Sequence, residues 1–282
     1  MMKISDTGKR AIDNGMDGAE WDLRVQLACA FRINAYLGWE DAINTHTSMR
    51  VPGPKHHFLL NPFGLRFDEI KASDLVKVDQ EGQIIGGATD NPLNEAGFVI
   101  HSAIHMRRED AKCVLHTHTL PGMAVAAMAH GLLPISLFAL GFHDSLSYHE
   151  FEGASGKHNL SEQDRLAQSL GPDNKAMIMR AHGLLTVGQS VAEAFVWMYR
   201  LNKACEVQVM THGAGGGYVQ PSQQAAEYTA KGTLDYITTY GTKGPGGEDF
   251  AAFMRLMDRA GFLSNQYHSS IQACNTELIA ET

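Results

Sequence analysis

The chain has 282 residues, of which 44% are hydrophobic and 19% are charged, an ordinary composition for a globular protein. Its formal net charge is −8 and it contains no run rich in lysine or arginine, which argues against a nucleic-acid partner. The N-terminus is polar, no run of about 18 apolar residues predicts a membrane span, and the four cysteines form no disulfide-like pattern; we therefore expect a cytoplasmic protein with no membrane partner and with reduced thiols.

The first half of the chain combines two helical patterns with short strands. Apolar residues at a helical period predict a helix from Trp21 to Leu37. Short strand-like runs follow at 57–62 and 75–79. The segment from Asn94 to about residue 110 predicts a second helix, which Asn94 caps.

The second half alternates strands and helices. In chain order the patterns predict a strand at 113–119, a helix at 121–131, a strand at 135–140, a helix at 161–171, and a buried strand pair at 175–188 interrupted at Gly183. Ser190 and Glu193 form a capping-box start to a long helix. A glycine-rich linker at 213–222 then precedes helical patches at 223–240 and 248–261.

This alternation, with its short loops, predicts an α/β fold in which helices cover both faces of the sheet. We predict three parts along the chain: an N-terminal lead-in at 1–19, a main domain at 20–212, and a linker with a C-terminal helical extension at 213–282.

Two histidines, His116 and His118, stand one residue apart at the end of a predicted strand, in the run VLHTHTLPG. Residues i and i+2 of a strand project from one face, so the two imidazoles converge and could bind one transition-metal ion. His182 also ends a buried apolar strand. Three histidines would leave a coordination position open, as in catalytic zinc sites. The alternative is a group of hydrogen-bonded, partly exposed histidines at strand ends.

Two long segments resemble the class II aldolase/adducin superfamily: NEAGFVIHSAIHMRREDAKCVLHTHTLPGMAVAAMAHGLLPIS and RAHGLLTVGQSVAEAFVWMYRLNKACEVQV. The similarity covers about residues 20–212. The resemblance implies a three-layer α/β/α fold with a mixed, mainly antiparallel sheet, and a homo-oligomer, usually a tetramer, with sites between subunits. It also implies a divalent ion, typically zinc, with iron(II) or manganese as alternatives, held by His116, His118 and His182.

The sequence departs from the sugar-phosphate aldolases of that superfamily at several functional positions. Their acid/base glutamate corresponds to Gly97, their phosphate-binding serine pair to Glu95 and Ala96, and their phosphate-binding asparagine to His46. These replacements argue against a phosphorylated sugar as the substrate. Segments such as LGWEDAINTHTSMRV instead resemble the adducin-like branch. The sequence has no lysine-rich tail of the adducin kind, so we expect no cytoskeletal partner.

Other candidate residues surround these positions. His101 and His105, four residues apart on one helix face, are expected behind the metal ligands or within the core. His46 is expected at the mouth of the pocket or on a surface turn, and His149 is interpreted as a loop residue. No catalytic base is identified. Glu95 could replace the missing glutamate only if its segment is not yet helical, because two residues along a helix are separated by about 200°.

Three functions are compatible with these patterns. The first is a metal-dependent lyase that catalyses aldol cleavage or decarboxylation of a small, non-phosphorylated hydroxy- or oxo-acid. The second is a non-haem iron decarboxylating oxygenase, which the resemblance to adducin-like relatives suggests. The third is a non-catalytic, adducin-like oligomeric scaffold.

Overall fold

The computed structural model describes residues 12, 15–87, 92–153 and 161–260, so most of the predicted lead-in and the end of the predicted extension lie outside the described residues. The described strands form one eight-stranded sheet. Their bounds are β1 His46–Arg50, β2 Phe58–Leu60, β3 Val76–Val78, β4 Ile84–Gly86, β5 Cys113–Thr117, β6 Leu146–His149, β7 Ala176–Met179 and β8 Gly183–Gly188. The described helices are α1 Gly18–Tyr36, α2 Glu95–His105, α3 Leu120–Ala127, α4 Leu137–Leu140, α5 Glu162–Leu170, α6 Val191–Ala214, α7 Gln223–Thr239 and α8 Gly247–Arg259.

The sheet is mixed and mainly antiparallel, as predicted. Its strand order is β4-β3-β2-β1-β5-β8-β7-β6. The β6–β7 pair is parallel, and the other neighbouring strands pair antiparallel. Strands β1, β5 and β8 therefore lie side by side in the middle of the sheet, where the end of β5 meets the turn that leads into β8.

Helices cover both faces of the sheet, which confirms the three-layer α/β/α architecture. Helices α1, α3 and α6 contact one face, and α2 and α5 contact the other. Alternate side chains of β5 separate accordingly: Cys113 and Leu115 join one hydrophobic cluster, whereas Val114 joins another. His116, two residues beyond Val114, thus lies on the face that α2 covers.

The predicted strand at 135–140 is wrong. This segment contains the short helix α4, and the Ser136 side chain caps it by accepting a hydrogen bond from the backbone N–H of Ala139 at 3.1 Å. A short apolar run does not distinguish a strand from a buried helix by periodicity, and here the N-cap serine decides between them.

Three short strands, β1, β4 and β6, were missed. Strand β1, with the sequence HTSMR, is buried along its whole length although most of its residues are polar, so no apolar alternation marks it. Strand β6 includes His149, which is 3% exposed; the interpretation of His149 as a loop residue is wrong. Pairing of β6 with β7 orders this segment, and that contact is remote in sequence.

The C-terminal helices pack on the main core. Phe250, Met254 and Met257 of α8 belong to the same hydrophobic cluster as Trp21 and Phe195. The predicted helical extension thus shares a core with the preceding residues, while the exact bounds of the three predicted parts stay a prediction. Within the described ranges, no helix combines the length and the apolar character needed to cross a bilayer.

Candidate metal centre

Three predicted metal ligands, His116, His118 and His182, lie together at one end of the central strands. His116 belongs to β5, His118 follows the end of that strand, and His182 lies in the turn between β7 and β8. One nitrogen from each ring can be chosen such that all three lie within 4.8 Å of one another. The ring centroids are 4.7–4.9 Å apart. The structure therefore brings the three rings to one point.

Two of the three rings have their tautomer determined by the protein. The Nδ1 atom of His116 lies 2.9 Å from the carbonyl oxygen of Leu184, and Nδ1 of His118 lies 2.9 Å from Oδ2 of Asp41. A carbonyl and a carboxylate oxygen can only accept, so both Nδ1 atoms carry the proton. In the neutral rings both Nε2 atoms are then left with a lone pair.

These two lone pairs face each other. The Nε2 atoms of His116 and His118 are 2.9 Å apart. Two unprotonated nitrogens at this separation repel unless a proton or a cation lies between them. Three neutral imidazoles are a suitable donor set for zinc or iron, whose bonds to nitrogen are about 2.0–2.1 Å for zinc. The residues present therefore fit a divalent transition metal.

The rings approach closely because the turn before β8 is tight and β8 begins with glycine. Ala181 has a left-handed φ of 51°. A Cβ atom on Gly183 would lie 2.4 Å from the carbonyl oxygen of Thr117 and 3.1 Å from Cδ2 of His118, far inside normal contact. Glycine at 183 thus permits the approach of β8 and its preceding turn to His116 and His118.

Burial favours neutral rings in the cluster. Burial and the neighbouring imidazoles, His182 first, hold the pKa of His116 well below its ordinary value. Burial, followed by the charge of His118, lowers the pKa of His182 to about 4. Neutral imidazole is the form that binds a metal ion, so the environment of these two rings favours ligation at neutral pH.

His46, His101 and His105 lie behind the cluster. His46 pairs with His116 across β1 and β5, and their rings stack with centroids 5.0 Å apart. His101 and His105 project from α2, and all three histidines are at most 2% exposed. His46 thus lies in a buried strand and not on a surface turn.

Gly97 and His46 occupy adjacent space. A Cβ atom on Gly97 would lie 2.9 Å from Cγ of His46, so the imidazole fills the volume into which a side chain at position 97 would project. Glu95 begins the helix and is exposed, whereas Gly97 is buried. The segment is therefore helical from Glu95 onward, and the condition under which Glu95 could act as the base is not met.

Sequence reasoning missed two residues of the site, Asp41 and Ser48. Asp41 lies in a loop and has no neighbouring motif that points to its contact with His118. Ser48 is two residues from His46, and its Oγ contacts both His101 and His105. Recognition of β1 as a strand would have placed Ser48 and His46 on one face.

Comparison with known proteins places this geometry in a family context. Residues 25–209 match the family model of the class II aldolase and adducin N-terminal domain. The chain is similar to an aldolase II superfamily protein from Pseudomonas syringae, with 42% identity, a TM-score of 0.82 and coverage of 89% of this chain and 98% of that one. It is also similar to an L-fuculose 1-phosphate aldolase from Glaciozyma antarctica, with 30% identity, a TM-score of 0.74 and coverage of 86% and 90%.

A third similarity is to a eukaryotic protein. Mouse alpha-adducin is 39% identical over 259 residues, which cover 87% of this chain and 34% of alpha-adducin. The chain therefore corresponds to about a third of the length of that relative.

Proposed function

Because the chain belongs to the class II aldolase and adducin N-terminal domain family, we propose that it is a divalent-metal-dependent lyase that acts on a small, non-phosphorylated hydroxy- or oxo-acid. The observation that carries the proposal is the convergence of His116, His118 and His182. The Nδ1 atoms of His116 and His118 are hydrogen-bonded to the carbonyl oxygen of Leu184 and to the carboxylate of Asp41. Three protein ligands leave a coordination position for substrate.

The three histidines would hold the ion, and the donor set favours zinc or iron(II) over manganese, which prefers oxygen ligands. A divalent ion at this position supplies Lewis-acid polarisation of a carbonyl or carboxylate oxygen. Leu184 and Asp41 keep the Nδ1 protons of His116 and His118 in place, and thereby keep both Nε2 lone pairs directed into the site.

The surroundings of the cluster support a substrate without a phosphate group. Gly97 offers no side chain to a ligand, and the imidazole of His46 packs against it. The similar aldolase from Glaciozyma antarctica is named for a sugar phosphate, so this chain is expected to differ from that relative in its substrate.

Within lyase chemistry, the site favours decarboxylation over aldol cleavage. Aldol cleavage requires a base that removes the proton of the substrate hydroxyl, whereas decarboxylation breaks the bond to a carboxylate that has no such proton. Among the described residues that surround the three ligands, Asp41 is the carboxylate in contact, and it accepts a hydrogen bond from His118. Decarboxylation therefore does not depend on a base that removes a hydroxyl proton, and it suits this arrangement better than aldol cleavage does.

We further propose a homo-oligomer, with a tetramer as the expected state. Leu120, Met123 and Phe151 are 82%, 40% and 54% exposed. Leu120 follows His118 by two residues, and the ring of Phe151 lies 6.2 Å from that of His182. Apolar side chains exposed beside a site are typical of a surface that another chain covers. Light scattering should give four chains, and Leu120→Asp should dissociate them; a monomeric native protein would contradict this.

A cytoplasmic location is proposed from the thiols. Cys29, Cys113 and Cys205 are buried and unbridged, and burial raises the pKa of Cys205 to about 12. Such thiols are inert and suit a reducing compartment.

The test of the lyase begins with metal content. Protein purified without chelators should contain one zinc or iron per chain, and a panel of 3-oxo and 3-hydroxy acids should release carbon dioxide or an aldehyde. The His182→Ala variant should lose both the metal and the turnover. Turnover that requires oxygen would instead identify an iron oxygenase. Bound metal without turnover of any acid would favour a scaffold, an alternative that the 39% identity to alpha-adducin leaves open.

A further inference from the structure

A chain of hydrogen bonds runs through the buried space between β1 and α2. It links Nδ1 of His46 to Nε2 of His101 at 2.8 Å, Nδ1 of His101 to Oγ of Ser48 at 2.5 Å, and Oγ of Ser48 to Nε2 of His105 at 2.7 Å. It ends at the backbone, where Nδ1 of His105 lies 2.9 Å from the carbonyl oxygen of Ala111. None of these contacts involves His116, His118 or His182.

The carbonyl oxygen of Ala111 determines which atom carries the proton in each of these hydrogen bonds. The oxygen of Ala111 can only accept, so Nδ1 of His105 carries the proton and Nε2 has the lone pair. Ser48 must then donate its single O–H to His105, and its oxygen accepts from Nδ1–H of His101. Nε2 of His101 is therefore an acceptor, and His46 donates to it from Nδ1.

This order holds only if the imidazoles are neutral. His101 and His105 are fully buried. Burial, followed by the charge of Arg50, lowers the pKa of His105 to about 3, and burial holds the pKa of His101 well below its ordinary value. This series of hydrogen bonds is thus unsuited to carry a positive charge away from the site. It is suited to hold neutral rings in one arrangement.

The opposite end of the chain is Nε2 of His46, which retains a lone pair. No residue in the described ranges makes a hydrogen bond to this atom. The ring stacks on His116. Burial first, and then the nearby imidazoles, His118 and His182 among them, hold the pKa of His46 well below its ordinary value. This acceptor has no hydrogen-bond partner among the described residues, so a ligand that donates a hydrogen bond could pair with it.

We propose that Ser48, His101 and His105 are positioning residues that hold His46 in its Nδ1–H tautomer, so that Nε2 of His46 accepts a hydrogen bond from a hydroxyl group of the substrate at the metal centre. This inference rests on the proposed function and narrows its substrate class to acids that carry a hydroxyl group. His46 gains no proton in this role. It selects for a donor on the substrate.

The first test measures the tautomer directly. In zinc-loaded protein labelled with ¹⁵N-histidine, two-bond ¹H–¹⁵N correlations should show a protonated Nδ1 and an unprotonated Nε2 for His46, assigned by comparison with His46→Gln. Ser48→Ala removes the group that joins His101 to His105, and His46 should then show both tautomers. Ser48→Thr keeps the hydroxyl and should restore the native pattern.

The second test measures the consequence for binding. Glycolate and acetate differ by one hydroxyl group, and both can be titrated into zinc-loaded protein. The preference of the wild type for glycolate should fall about two- to tenfold in Ser48→Ala, the range expected for one hydrogen bond. Ser48→Thr should retain the preference, and zinc affinity should stay within about twofold in both variants because Ser48 is not a ligand.

Two results would overturn the inference: a protonated Nε2 on His46 in the wild type, or an unchanged glycolate preference in a folded, zinc-loaded Ser48→Ala protein. The proposed lyase fails separately. If no acid is turned over while the tautomer order and the Ser48-dependent preference are observed, the lyase is wrong and the hydroxyl-binding site stands.

Discussion

At the scale of single residues, the candidate metal centre depends on partners that are not ligands. Asp41 accepts a hydrogen bond from Nδ1 of His118, although the Asp41 side chain is 46% exposed. A carboxylate behind a metal-binding histidine orients the ring and raises its basicity, and loss of such a partner typically reduces metal affinity about 10–100-fold.

We therefore predict that Asp41→Asn, which keeps an acceptor but loses the charge, weakens zinc binding by about tenfold. Competition with a chromophoric chelator measures this. The matched control is Asp144→Asn, which alters another carboxylate close to a histidine, His143, at 3.3 Å, and should leave zinc affinity unchanged. Equal zinc affinities for the two variants would show that Asp41 does not support His118.

The buried histidines also make stability depend on pH. His105 is fully buried and its pKa is lowered to about 3, chiefly by burial. The unfolded chain binds a proton at this position below about pH 6.5, whereas the folded chain does not until about pH 3. The contribution to stability is therefore complete above about pH 6.5 and is lost as the pH falls towards 3.

For the metal-free protein, we predict that the free energy of unfolding falls on acidification below pH 6.5, and that His105→Asn flattens this dependence by about 1.4 kcal/mol per pH unit. Urea titrations between pH 7 and 5 measure it. The control His130→Asn replaces an exposed histidine that stacks on His212 and should leave the slope as in the wild type. Parallel slopes for wild type and His105→Asn would contradict the prediction.

At the scale of elements, the contact between the end of β5 and the start of β8 decides the geometry of the site. Gly183 is in close contact with Thr117 and His118, and an added Cβ would meet the backbone at 2.4 Å. A backbone contact cannot rotate away as a flexible side chain can, so a methyl group must separate the strands.

Gly183→Ala is therefore expected to destabilise the protein by about 1–3 kcal/mol and also to lower its affinity for zinc. Gly232→Ala, in the interior of α7 where an added Cβ meets nothing within 4 Å, should instead stabilise by about 0.5–1 kcal/mol. Thermal unfolding and zinc titration of the two variants make the comparison. Wild-type zinc affinity in Gly183→Ala would show that the close approach is not needed.

At the scale of the whole molecule, the C-terminal helices are part of the core. Met257 of α8 is fully buried in the hydrophobic cluster that includes Trp21 and Phe195. Removal of a buried methionine side chain usually costs about 2–5 kcal/mol, whereas a change at an exposed position usually costs less than about 0.5 kcal/mol.

We predict that Met257→Ala destabilises the entire chain by about 2–4 kcal/mol in a single cooperative transition. Met210→Ala, at a position that is 71% exposed, is the control and should change stability little. Chemical denaturation followed by both fluorescence and circular dichroism measures this. An early, separate transition of the C-terminal helices would show that they form an independent unit.

The amino-acid sequence by itself determined the fold class, most of the elements and the convergence of the three histidines. Helices such as α2 and α6 carry both a capping residue and a regular apolar face, and these signals are local. His116 and His118 converge because a strand repeats every two residues, which is also a local property. The third histidine and the three-layer architecture were predicted from the resemblance of two long segments to the class II aldolase/adducin superfamily.

Only the tertiary structure decided which polar residues are buried and what they contact. Strand β1 has no apolar alternation because His46 and Ser48 bind side chains of α2, more than 50 residues away in sequence. Asp41 reaches His118 across 77 residues. Such contacts arise when separate elements pack around one sheet, so the order of residue types along the sequence does not predict them.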